Sequence, residues 1–305
     1  MRLPDFEYYE PATLEEACQI MAECKESARP IAGGTDLLVN MKRGLVSPRN
    51  VVSLGKAQEL KETSWDEEEM RIGACRTVAR LADSDDIASS FKALSIAASG
   101  LGSPLIRNLA TVGGNLVTAR PAADLPPPFI ACGAHVLLKS ASGERRLRLD
   151  EFFLGPGLTV MRPDEILSHV LIQKPPARSG SSYIKLGVRR ALEISIVSVA
   201  AFVTLDERSG VIRNARLVMG AVAPKPLRAA SAEEILLGEK PGLALFQAAG
   251  KAAAGESMPI DDFRGSAEYR RAMVAVLTER ALNEAVDQVN RGVKTCHCER
   301  SEAIS

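Results

Sequence analysis

Two glycine pairs constrain this chain more than any other feature: Ala32-Gly33-Gly34-Thr35-Asp36 and Thr111-Val112-Gly113-Gly114-Asn115. Consecutive glycines permit positive φ and leave no Cβ between the backbone and a ligand, so successive N–H groups can converge on an anion. Such a nest suits a phosphate. In the first segment Leu37 to Lys42 reads as a short helix, whose free N–H groups and positive dipole end add to the same attraction. Thr35, Thr111 and Asn115 supply donors at the rim. A single Gly-Gly pair is most simply a tight turn, but two pairs flanked by threonine favour an anion site.

Neither loop is a nicotinamide-type GxGxxG, and Gly100-Leu101-Gly102 fails that pattern because Leu105 stands where the third glycine belongs. No GxxxxGK[ST] occurs, which removes the P-loop NTPases. Lys plus Arg and Asp plus Glu both total 38, so no global charge draws the chain to nucleic acid or an anionic bilayer. The start, Met1 to Glu7, lacks an apolar core of signal-peptide length and no segment runs apolar far enough to span a membrane, so a cytoplasmic protein is expected. Six cysteines, at 18, 24, 75, 132, 296 and 298, show none of the spacings that hold zinc or iron-sulfur clusters, and the first four read as reduced, mostly buried thiols.

With 305 residues, 46% hydrophobic, the chain is long enough for roughly two domains. Thr13-Leu14-Glu15-Glu16 is a capping-box pattern opening a helix to about residue 26; Val51 to Leu54 and Met70 to Ala74 read as strands, and Asp85 to Ser99 as one helix. Ala134 to Lys139 and Arg145 to Leu149 form a predicted hairpin, and Ile166 to Ile172 a strand. Lys174-Pro175-Pro176-Ala177-Arg178-Ser179-Gly180 has linker composition and marks a domain boundary. Beyond it two apolar strands, Ser195 to Asp206 and Val211 to Val222, precede helices at Gly242 to Ala254 and Ser266 to Val289. Cys296-His297-Cys298 offers three metal ligands without a fourth, and residues 291–305 read as a disordered tail without function, similar to the translation of an intergenic bacterial repeat.

Ile31 to Leu38, Gly102 to Asn108 with Ala110 to Leu116, Pro121 to Pro126, and Tyr183 to Gly187 with Arg189-Arg190 and Val199-Ala200-Ala201 resemble, in order, the FAD subunit family of molybdenum hydroxylases, the xanthine dehydrogenase and carbon monoxide dehydrogenase type. The resemblance runs from about residue 3 to 290. It implies an α+β fold: a two-lobed FAD-binding domain of the vanillyl-alcohol-oxidase-like type over 1–175 (lobes about 1–60 and 61–175), then a small α+β domain over 178–290 with an antiparallel sheet packed on helices.

Residue by residue, the resemblance puts Ala32, Gly33, Gly34, Thr35 and Asp36 at the FAD pyrophosphate, with Thr111, Gly114 and Asn115 closing the other side and Ser103 and Ile106 on the approach loop. Asp124 matches the acid that meets the hydroxyl-bearing sugar portion, although an Asp before Leu-Pro-Pro also suits the N-cap of a helix at Leu125 to Cys132. Lys185 matches a lysine near the pyrimidine edge of the isoalloxazine, where a cation favours the reduced, anionic flavin. Arg189 and Arg190 line a subunit interface or pair with Glu193, and His135 and His169 read as structural. No histidine lies in either diglycine loop, so non-covalent FAD is expected. The family further implies a large molybdopterin-binding subunit and a small iron-sulfur subunit as partners, with NAD, a quinone or oxygen as acceptor. A free-standing FAD-dependent oxidoreductase is the alternative.

Overall fold

The computed structural model describes residues 2–189 and 192–302, with side chains described as far as Arg291. Strands β1 (Glu7–Tyr9), β2 (Ala28–Ile31) and β3 (Asn50–Ser53) form a parallel sheet in the order β1-β3-β2. Parallel strands need crossovers, supplied here by α1 (Leu14–Cys24) and α2 (Leu37–Lys42). Thr13 Oγ1 accepts from the Glu16 N–H at 3.2 Å, while the Glu16 carboxylate reaches the Ala12 N–H at 2.7 Å, so the predicted capping box forms with its return bond one residue upstream. Leu14, Ala17, Cys18 and Met21 on α1 pack on Ala28, Val52 and Leu54 to make this lobe's core.

The middle lobe is an antiparallel sheet of β4 (Thr63–Trp65), β5 (Glu69–Gly73), β6 (His135–Ser140), β7 (Gly143–Arg148) and, after the small ribbon β8 (Phe153–Gly155) with β9 (Leu158–Thr159), β10 (Ile166–Gln173), in the order β4-β5-β10-β6-β7. Between β5 and β6 run α3 (Val78–Ala82), α4 (Asp85–Ser90), α5 (Lys92–Gly100), α6 (Pro104–Arg107), α7 (Val112–Val117) and α8 (Pro126–Ala131), with α9 (Leu149–Phe152) after β7. The single helix predicted over 85–99 is two, broken at Phe91 (φ −135°, ψ 63°). There the buried Phe91 ring stacks on Trp65 with centroids 6.1 Å apart, a tertiary contact that overrides the local helical pattern.

The last lobe is the antiparallel sheet β11 (Ser179–Leu186), β12 (Val197–Leu205), β13 (Ile212–Gly220), β14 (Leu227–Arg228), backed by α10 (Ala230–Leu236), α11 (Leu243–Glu256) and α12 (Ala267–Glu302). The predicted linker shortens to 174–178, since Ser179 and Gly180 already pair with Thr204 and Val203. Every residue of β12 is buried because both sheet faces are covered. Val197, Val199, Ala201, Val203 and Leu205 pack with residues of α11 and α12, whereas Ala200 and Phe202, with Tyr183 and Val218, join the middle lobe's core.

Helix α12 does not stop near Val289 but runs to Glu302, through most of the segment read as a disordered tail; no proline interrupts its backbone hydrogen bonding there. The side chains of Cys296, His297 and Cys298 lie outside the described residues.

Candidate cofactor site

The first diglycine loop joins β2 to α2. Gly34 takes φ +70°, the conformation that makes a glycine necessary there. Leu38 N–H donates to Gly34 O at 3.1 Å and Asn40 N–H to Asp36 O at 2.9 Å, while the N–H groups of Gly34, Thr35, Asp36 and Leu37 meet no acceptor among the described residues. Gly33 is glycine for a different reason: a Cβ there would lie 1.8 Å from Leu109 O, so this position is the seam at which the first lobe meets the segment leading to the second loop. Asp36 pairs with Arg120 at 3.5 Å on the surface.

The second pair departs from the expectation of positive φ. Gly113 and Gly114 form the first turn of α7, capped by Thr111, whose Oγ1 accepts from the Gly114 N–H at 3.1 Å. Contact decides their identity: a Cβ would come 2.6 Å from Ala74 Cβ at position 113 and 2.8 Å from Thr111 Oγ1 at 114. Gly113 N–H is also spent on Ala74 O at 2.8 Å, which leaves the first loop as the richer source of free donors.

Between the first two lobes lies a cavity of about 490 Å³. Ala32, Asp36, Gly113 and Gly114 line it, so segments some 80 residues apart in the sequence, by the order of magnitude of a loop closure, meet around one space. Gly33, Gly34, Thr35, Thr111 and Asn115 adjoin these residues in the chain without lining the cavity themselves. Its remaining wall was not legible in the sequence: Leu54, Val117, Thr118, Thr159, Met161 and Leu167 belong to no motif and converge only through the sheet topology. Glu165 closes one side; burial pushes its carboxyl up, but Arg145, at 2.6 and 2.8 Å, and the Arg162 N–H outweigh this and hold it below the usual carboxylate range. Ser103 and Ile106 stand apart from this cavity. Ser103 Oγ caps α6 by accepting from the Ile106 N–H at 3.3 Å, and Ile106 packs on Gly102.

A second cavity, of about 440 Å³, is lined by Ile96, Gly100, Tyr183, Lys185, Gly187 and Glu193, among others. Behind it Asp124, 7% exposed, belongs to the middle lobe and is held by the last: Oδ1 accepts from Tyr183 OH at 2.9 Å and Ser195 Oγ at 3.1 Å, and Oδ2 from Lys185 Nζ at 2.9 Å. The N-cap alternative for Asp124 is therefore corrected: α8 begins at Pro126 with Leu125 at the cap position, because the Asp124 carboxylate is directed to the last lobe instead. Burial, and then the Asp124 charge, push the Tyr183 phenol well above its ordinary value, so it remains a donor. Leu125 N–H donates to Asn115 Oδ1 at 3.4 Å, tying the Asp124 segment to α7.

Of the remaining candidates, Arg189 pairs with Glu193 at 2.9 Å and Arg190 lies outside the described residues. Burial lowers the pKa of both His135 and His169, and His169 Nε2 lies 3.2 Å from Glu59 O, a structural setting.

Residues 4–175 match the family described as the FAD binding domain in molybdopterin dehydrogenase, and residues 182–285 the CO dehydrogenase flavoprotein C-terminal domain. The nicotinate dehydrogenase FAD-subunit of Eubacterium barkeri is 33% identical over 294 residues, 95% of this chain and 99% of that protein. The xanthine dehydrogenase FAD-binding subunit of Escherichia coli O157:H7 is 30% identical, covering 92% and 95%. Among solved structures, carbon monoxide dehydrogenase from Hydrogenophaga pseudoflava, in a form lacking the Mo-pyranopterin moiety, superposes with a TM-score of 0.90 at 30% identity over 94% of this chain and 99% of the other. Two domains in the same order, both loops and the near-complete coverage of its relatives agree: the chain belongs to the FAD-binding subunits of the molybdopterin dehydrogenases, the oxidoreductase family of the xanthine, carbon monoxide and nicotinate dehydrogenases.

Proposed function

We propose that this chain holds FAD non-covalently and carries electrons inside a molybdenum-containing hydroxylase complex, from iron-sulfur clusters on a small partner subunit to an external acceptor, either NAD, a quinone or oxygen. Substrate oxidation takes place on a large molybdopterin-binding subunit. The observation that carries the reading is the convergence of the two diglycine segments on one cavity, with unpaired N–H groups in the first.

The residues fit the cofactor. A pyrophosphate needs several N–H donors and no intervening Cβ, which Ala32 to Asp36 provide around the positive φ of Gly34. A cavity of about 490 Å³ with apolar walls from Leu54, Val117, Met161 and Leu167 suits the base end of a dinucleotide. Thr111 has its hydroxyl proton left to give, since its oxygen already accepts from Gly114, and Asn115 steadies the loop before α8. Lys185, fixed by Asp124, presents one oriented cation at the second cavity, and Ser103 and Ile106 shape the loop beside it. Bound FAD supplies the capacity to take up electrons singly and to release them as a pair.

Among the described residues no three cysteine, histidine or acidic side chains gather into a metal-ligating group, and we assign the iron-sulfur clusters to a partner. No helix among the described residues is long and apolar enough to cross a membrane, and we place the complex in the cytoplasm. Domain limits of 1–175 and 178–290 follow the same reading.

Co-expression of the tagged chain with its genomic neighbours tests it. The expected product is a complex containing flavin, iron and molybdenum. Recovery of a lone flavoprotein that turns over substrate without either metal would favour the free-standing oxidoreductase.

A further inference from the structure

A third cavity, of about 390 Å³, shares no lining residue with the two described above. It forms where the middle and last lobes meet: His135, Arg148 and Gln173 come from β6, β7 and β10, and Asn214, Arg216 and Arg228 from β13 and β14. Its lining is mostly polar, with three guanidinium groups and two amides around one space.

The charges in it do not balance. Arg148 is held by Asp150, with Nε to Oδ1 at 2.9 Å. Arg228 is held by Glu233 at 2.5 and 3.2 Å, with Asp150 at 3.7 Å. Both carboxylates are thereby engaged, and Glu233 also accepts the Leu217 N–H at 2.9 Å. The Arg216 guanidinium makes no hydrogen bond or ion pair among the described residues. Its guanidinium lies over the Phe202 ring at 4.9 Å and against Gly133, where a Cβ would fall 1.9 Å from Arg216 Nη1. Burial lowers its pKa, the nearby Arg228 and Arg148 act in the same direction, and Cys132 and Glu233 oppose them without cancelling the shift. A partly buried guanidinium with stacking but no acceptor forgoes the charge-assisted bonds that offset its desolvation.

We propose that this cavity binds the phosphate group of a small molecule, with Arg216 as the principal anchor and the Gln173 and Asn214 amides as flanking donors. Guanidinium forks match phosphate oxygens two at a time, and the site holds one cation more than its carboxylates neutralise. The volume lies within the range of small-molecule sites, leaving room for an organic body attached to the phosphate. This assignment stands independently of the electron-transfer reading.

The test is calorimetric titration of the full chain saturated with FAD, so that the diglycine loops are already filled. Inorganic phosphate and AMP are titrated separately at matched ionic strength, against wild type, Arg216→Gln and Arg216→Lys. Saturable phosphate or AMP binding weakened at least tenfold in Arg216→Gln, with flavin absorbance unchanged and partial recovery in Arg216→Lys, supports the site. AMP binding tighter than phosphate identifies a nucleotide, and equal affinity identifies free phosphate. Absence of saturable binding in wild type, or equal binding in Arg216→Gln, overturns it. Should Arg216→Gln fail to fold, Gln173→Met and Asn214→Leu serve in its place, and undiminished binding in both overturns the assignment.

Discussion

Lys185 Nζ donates to Asp124 Oδ2 at 2.9 Å, joining the first strand of the last lobe to the segment that precedes α8 in the FAD-binding domain. Tyr183 and Ser195 close on the other carboxylate oxygen, so one acid satisfies three donors from the far side of the domain boundary. Removing it strands a cation and a buried phenol. Asp124→Ala is expected to destabilise the protein by roughly 2–4 kcal/mol and to reduce flavin retention, with Asp124→Asn milder because its amide oxygen still accepts. Urea unfolding followed by tyrosine and flavin fluorescence checks this; a wild-type midpoint for Asp124→Ala would remove the latch from the account.

The two glycines of the first loop are expected to fail differently. Gly34→Val forces a branched residue to φ +70° and is expected to lose FAD from a chain that still folds. Gly33→Ala places a Cβ 1.8 Å from Leu109 O and is expected to disturb the lobe seam itself, lowering the melting temperature even without cofactor. Flavin absorbance and apo-protein melting separate the two, and full flavin occupancy in Gly34→Val would contradict the anion nest.

Gly114→Val acts on the cap of α7. Its Cβ would stand 2.8 Å from Thr111 Oγ1, which must move and release the Gly114 N–H. A loss of about 1 kcal/mol, typical of a missing N-cap, is expected together with weakened FAD binding. Thr111→Val tests the cap alone, and the two variants should agree in stability if capping explains the loss.

Acid sensitivity is expected to centre on Asp262. Burial pushes its carboxyl up, but the Arg264 N–H and the guanidinium groups of Arg264 and Arg270 prevail and bring it down to about 2. A depressed carboxylate contributes stability that is present above its unfolded value near 4 and disappears as pH falls through the folded value. Asp262→Asn is therefore expected to lower stability at neutral pH and to flatten the decline between about pH 4 and pH 2. Since Arg270 also donates to Ile196 O and Ala221 O, Arg270→Met should cost more than Asp262→Asn at pH 7. Equal acid transitions in wild type and Asp262→Asn would count against this cluster.

Thiol labelling is expected to follow burial. Cys18, Cys75 and Cys132, raised to about 11, 12 and 12, should react with a thiol probe only as fast as the protein opens, whereas the partly exposed Cys24 should react in the native state. Peptide mapping after brief labelling at pH 8 reads this directly.

What the sequence determined by itself was the local grammar. Thr13 announced α1, Leu37 to Lys42 read as α2 and the 134–149 hairpin paired as expected, because capping and turn residues act within a few positions of themselves. The diglycine segments likewise stood out without any knowledge of their neighbours, and residues of both line one cavity. Only tertiary structure decided why each glycine is there: Gly34 for its φ, Gly33 for Leu109, Gly113 for Ala74 and Gly114 for Thr111. The same holds for Asp124, whose position before Leu-Pro-Pro suited an N-cap until Tyr183, Lys185 and Ser195 arrived from about 60 or more residues away, a separation that carries no periodic signal. Phe91 broke a helix that its own segment would have continued, and Arg216 lies in a cavity among arginines drawn from three strands. Each is a contact between distant segments, and the energy of such contacts depends on which surfaces the fold buries together rather than on the residues that adjoin in the chain.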